Sequence, residues 1–152
     1  MFYAYMNFFD AQQIPLLCCM NHLEHIGIAV KDLEASVALF TRLLGTAPYK
    51  TETVESEGVT TVFFDVGNTK IELLSATRED SPIGKFLQNK GEGIHHLAFA
   101  VEDIRQSMQE KVDAGFTLIN PEPKDGADNK IIAFLHPKST GGVLTEMCQN
   151  KN

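Results

Sequence analysis

The chain contains a repeat of itself, and this constrains its fold more than any other feature. His25-Ile-Gly-Ile-Ala-Val-Lys-Asp32 aligns with His96-Leu-Ala-Phe-Ala-Val-Glu-Asp103, an offset of 96 − 25 = 71 residues. From His25 to Ser36, five of twelve positions are identical: His, Ala, Val, Asp and Ser. Self-similarity at a fixed offset means that one supersecondary unit is used twice.

Each copy reads as a strand followed by a helix. Asp32 and Asp103 are suited to cap the helices, because their carboxylates can accept from the free amides of a first turn. Leu33, Val37, Phe40 and Leu44 then recur at helical spacing, as do Ile104, Met108 and Val112. Gly45 and Gly115 stand where a left-handed C-terminal residue is wanted. Shorter β-like runs follow: Thr60–Val66 and Lys70–Leu74 around the turn Gly67-Asn68, then Ile131–Leu135 and Val143–Met147 around His136 to Gly142. Residues 77–92, with Ser81-Pro82 and Gly91, read as the connection between halves. The expected fold is α+β: two tandem βαβββ modules, about 22–76 and 93–149, whose curved half-barrel sheet surrounds one cleft. Residues 20–149 read as a single domain, and residues 1–19 as an N-terminal extension without a catalytic role.

Composition excludes several classes. The 152 residues are 43% hydrophobic and 22% charged, as in a soluble globular protein. No apolar run reaches the roughly 18 residues of a membrane span. A net charge of −7 argues against nucleic acid as a partner, since phosphate binding needs a basic face. Cys18, Cys19 and Cys148 form neither a disulfide framework nor a C-x-x-C zinc motif, which points to a reducing cytoplasm.

Alternation along a strand puts His25, Gly27 and Ala29 on one face, with Ile26, Ile28 and Val30 on the other. His96, Ala98 and Ala100 likewise oppose Leu97, Phe99 and Val101. Small residues beside each histidine leave room for something to bind. Glu72 interrupts Ile71-Glu-Leu-Leu74, and Glu146 interrupts Leu144-Thr-Glu-Met147, at an offset of 146 − 72 = 74. A carboxylate inside an apolar strand is costly unless paired or metal-bound. Singly, each of the four is more often a structural or solvent-facing residue. Together, related by the repeat, they suggest a divalent-metal site of imidazole and carboxylate donors, suited to manganese, cobalt, nickel, zinc or iron(II). Position 24, opposite His95 in the alignment, is glutamate, so His95 reads as a neighbour and not a ligand.

The segments His22–Val30, Gly67–Leu74, Asp80-Ser-Pro-Ile83, Gly93–His96 and Phe134–Val143 carry a resemblance spanning residues 20–149. The chain resembles the methylmalonyl-CoA epimerases, a family of the vicinal oxygen chelate (glyoxalase-like) superfamily. The resemblance implies one divalent ion, often cobalt, held by His25, Glu72, His96 and Glu146. It also implies a homodimer and interconversion of the two C2 epimers of methylmalonyl-CoA. Where some relatives carry a catalytic glutamate, this chain has Thr61; Glu55 and Glu57 lie just upstream. Glu146 is the candidate proton carrier, as ligand, base or both. Lys138 and Lys130 are candidates for contacting the CoA tail. A glyoxalase I-like lyase, an extradiol-type dioxygenase and a non-catalytic binder of the same fold are the competing readings.

Overall fold

In the computed structural model, which describes residues 20–151, two aspartates begin the two repeated helices. Asp32 accepts from the Ala35 amide ahead of α1 (Leu33–Leu44), and Asp103 accepts from the Gln106 amide ahead of α3 (Ile104–Asp113). Gly45 ends α1 in the left-handed conformation, and Gly115, just past the end of α3, also has positive φ. The remaining elements are β1 (Leu23–Ala29), β2 (Lys50–Val54), β3 (Val59–Asp65), β4 (Lys70–Ala76), α2 (Pro82–Lys90), β5 (Gly93–Ala100), β6 (Lys124–Gly126), β7 (Lys130–Leu135) and β8 (Thr145–Asn150). The order is β-α-β-β-β twice, with α2 between the halves.

The segment expected to be a plain connection therefore contains a helix. Its start signal is present in the sequence: Ser81 accepts from the Gly84 amide at 3.0 Å, and Pro82 occupies the first turn, where a missing N–H costs nothing. Ser81-Pro82 read as a break is, physically, a helix cap.

The eight strands of the described residues form one sheet, ordered β2-β3-β4-β1-β5-β8-β7-β6. Within each half the first and last strands pair in parallel, β1 with β4 and β5 with β8. The antiparallel β1–β5 pair joins the halves at the centre. Exchanging the modules leaves the order unchanged, so the repeat in sequence becomes a twofold relation in space. The sheet is nearly closed into a half-barrel, as expected.

One face of the sheet carries the two repeated helices, α1 and α3, while α2 packs through Ile83, Phe86 and Leu87 against Ala29, Val59 and Leu74 on the cleft side. Val30, Val62, Phe64 and Leu73 are buried against Leu33, Val37, Phe40 and Leu44 of the first module. Val101, Ile104, Met108, Leu135 and Met147 form the equivalent cluster in the second. Val112, placed on that stripe by spacing, is 44% exposed one turn beyond it. Each fully buried aliphatic or aromatic side chain contributes about 1.5–3 kcal/mol, so these clusters hold α1 and α3 on the face away from the cleft. Among the described residues no helix is long and apolar enough to cross a membrane.

Candidate active site

The register of the central strands positions four polar side chains. Gly27 on β1 lies between Glu72 on β4 and His96 on β5, as Cα partners of both. Ala98 on β5 lies between His25 on β1 and Glu146 on β8. Each row thus reads carboxylate, small residue, imidazole. A Cβ at Gly27 would stand 2.5 Å from His96 Nδ1 and 2.7 Å from its Nε2. The space predicted beside the histidines is accordingly filled by the partner imidazole, which leans over the small residue toward its counterpart.

The result is one tight cluster. The Nε2 atoms of His25 and His96 lie 3.0 Å apart. Glu72 Oε2 is 3.3 Å from His25 Nε2 and 3.5 Å from His96 Nε2. Glu146 reaches the same two nitrogens at 3.9 and 3.5 Å. All four residues are buried, at no more than 5% exposure. His25, His96 and Glu146 can each offer a donor atom within 4.8 Å of the others.

These separations suit a metal. Bonds of about 2.0–2.2 Å to imidazole and carboxylate place neighbouring donors roughly 3–3.5 Å apart. Two imidazoles and two carboxylates also make a donor set that borderline divalent cations accept.

Electrostatics favour positive charge at the centre. Burial alone would strip charge from His25, but hydrogen bonds to Glu24 and Glu72 outweigh it and raise its pKa to about 10. Burial would likewise raise Glu72; hydrogen bonds from His25 and His96 instead bring it down to about 2. Glu146 goes the other way: burial raises its pKa, offset only in part by the two imidazoles. His95 falls to about 4, through burial and its neighbour His96.

The cluster forms the floor of an open cleft of about 990 Å³, solvent space included. Phe63, Leu74, Ile83, Ile132 and Phe134 supply apolar walls. Thr61 is buried in the wall, its hydroxyl donating to the Glu52 carbonyl at 3.4 Å. Glu57 lines the cleft and pairs at 2.8 Å with Lys124 of the other module, a cleft lysine that sequence reading passed over. Glu55 is exposed. Lys138 sits exposed on a single 3-10 turn, Pro137–Ser139. Lys130 is 8% exposed; its ammonium contacts Asn150 and Glu24, the latter at 3.0 Å. Glu24 is the main residue that sequence reasoning missed: its Oε2 lies 2.5 Å from His25 Nδ1.

The family model of the Glyoxalase/Bleomycin resistance protein/Dioxygenase superfamily matches residues 24–134. An ethylmalonyl-CoA/methylmalonyl-CoA epimerase of Cereibacter sphaeroides is 42% identical over 132 residues, covering 86% of this chain and 98% of the relative. The chain belongs to this superfamily, and within it to the methylmalonyl-CoA epimerase family. The human mitochondrial methylmalonyl-CoA epimerase is 40% identical over 131 residues, 86% of this chain and 74% of its own length. A variant methylmalonyl-CoA epimerase of Streptomyces coelicolor, solved in complex with 2-nitronate-propionyl-CoA, superposes with a TM-score of 0.80 at 38% identity, over 86% of this chain and 97% of that one.

Proposed function

We propose that this chain epimerises methylmalonyl-CoA-type thioesters, with one divalent ion held by His25, Glu72, His96 and Glu146. The observation that carries the reading is the convergence of these four donors in a chain of the epimerase family. Cobalt is the ion we favour, on family resemblance; manganese, nickel, zinc and iron(II) match the same donors.

The substrate bears its reacting hydrogen on C2, between a thioester and a carboxylate. Inversion breaks the C2–H bond, leaves the electron pair in an enolate, and forms a new C2–H bond on the opposite face. Lewis-acid stabilisation of the thioester oxygen is the chemistry the ion supplies when bound. Glu146 is the proposed base, taking the C2 proton onto a carboxylate oxygen. Its buried carboxylate lines the cleft, where a positioned base can reach C2. Thr61 has no group that titrates in the working range, so its part is limited to orienting the water that gives a proton to the opposite face of C2; the hydroxide left is neutralised by the proton that Glu146 releases. The apolar walls formed by Phe63 and Phe134 keep bulk water from the enolate. For the CoA tail, Lys138 is the proposed contact, because its side chain is exposed. Lys130 would have to leave Glu24 and Asn150 to reach a phosphate. The reading includes a homodimer and a reducing, cytoplasmic setting.

The test uses protein stripped of metal and reloaded with each candidate ion, assayed on methylmalonyl-CoA and ethylmalonyl-CoA. One ion per chain and epimerisation are expected, with both lost together in His96→Ala. Full occupancy and full turnover in that variant would move the site elsewhere.

A further inference from the structure

Both strands that carry the cluster histidines are irregular at the residue just before the histidine. Along the β1–β5 ladder Leu23 faces Phe99 and the next partners are His25 and Ala98, so Glu24 is an extra residue on β1. Further along, Gly27 faces His96 and Ile28 faces Ile94, so His95 is an extra residue on β5. These two bulges occupy equivalent positions in the repeat, 95 − 24 = 71 residues apart. In an unbroken strand, residues 24 and 95 would point away from the cleft. A bulge re-aims the side chain, and here each extra residue turns to the outer nitrogen of its own neighbouring imidazole. Glu24 Oε2 meets His25 Nδ1 at 2.5 Å, and His95 Nδ1 meets His96 Nδ1 at 2.9 Å.

Glu24 is itself fixed. Its other oxygen, Oε1, accepts from Lys70 Nζ at 2.6 Å and lies 3.0 Å from Lys130 Nζ, while Lys70 also donates to Asp128 at 2.8 Å. A buried carboxylate anchored from behind by two ammonium groups holds the imidazole in front of it in one orientation.

We propose that Glu24 is a positioning residue for the metal cluster. By accepting the Nδ1–H of His25, it fixes the ring and presents the Nε2 lone pair toward Glu72, His96 and Glu146. Outer-shell carboxylates of this kind orient metal-binding histidines and raise their basicity. The inference rests on the reading of those four residues as ligands.

The test must separate positioning from support of the fold, because Glu24→Gln alone leaves the buried Lys130 ammonium without its carboxylate partner. Lys130→Met is therefore compared with Glu24→Gln/Lys130→Met, using cobalt(II) as probe. Lys130→Met is the reference for the double variant, because it removes the same ammonium from both and leaves Lys70 to hold Glu24. The double variant should bind about 10–100-fold more weakly than Lys130→Met and show an altered visible cobalt spectrum, with both variants melting alike. Equal affinity and spectrum in the two variants would overturn the role of Glu24 while leaving the ligand set intact. Failure of that set would show separately, as wild-type cobalt binding that His96→Ala does not change. Should the double variant not fold, 15N–1H NMR of the zinc-loaded wild type decides. A slowly exchanging proton on His25 Nδ1, with metal on Nε2, is expected; metal on Nδ1 would overturn the proposal.

Discussion

Gly27 and Ala98 carry no chemistry, yet each occupies the middle of a row whose two ends supply an imidazole and a carboxylate. Gly27→Ala would drive a methyl group into the His96 ring. That ring cannot retreat without leaving the cluster, so divalent-metal affinity should fall at least about tenfold, the lower end of the range for disturbed ligand orientation. Competition with a chelator measures it, and unchanged affinity would contradict the packing argument. The quartet itself was legible in the sequence because the repeat set two histidines and two glutamates at nearly equal offsets. Glu24 was not. Alternation assigns it to the far face, and a bulge arises from the register between two strands, which neither strand displays alone.

Helix α2 shows a different limit at the scale of elements. Its cap, Ser81, is 1% exposed, accepts from Gly84 and donates to the Arg78 carbonyl at 2.7 Å. Ser81→Ala removes both bonds and should cost about 1–2 kcal/mol. Urea unfolding reads this as a lower midpoint at unchanged slope; an unchanged midpoint would mean that the cap contributes nothing. The signals for α2 were in the sequence, but a serine followed by proline marks a turn as well as a helix start. The strands β2 and β6 were not assigned to particular residues. Lys-Thr-Glu-Thr-Val and Lys-Asp-Gly are polar, short and at the edges of the sheet, so no apolar run announces them. The long central strands were found because they are buried, and burial leaves the periodic apolar signature that sequence reading detects.

At the scale of the whole molecule, the repeat, the β1–β5 seam and the cluster are one statement. Two modules that each place a histidine on the first strand and a glutamate on the last must bring all four together when their first strands pair. Fold class and the convergence of the two histidines and two glutamates were therefore readable before any coordinates. The proposed extension, residues 1–19, lies outside the described residues. Sedimentation at micromolar concentration should give the mass of two chains, and a monomer alone would count against the homodimer. The central claim, that this cluster removes and returns the C2 proton with Glu146 as base, is tested most directly by proton NMR of one epimer of methylmalonyl-CoA in D2O with metal-loaded protein. The α-proton signal should disappear under wild type as the epimers interconvert. Metal-saturated Glu146→Gln should be at least about a hundredfold slower, the loss expected when a positioned base is removed. An α-proton that survives incubation with fully loaded wild type, or one that Glu146→Gln exchanges at the wild-type rate, would contradict the account.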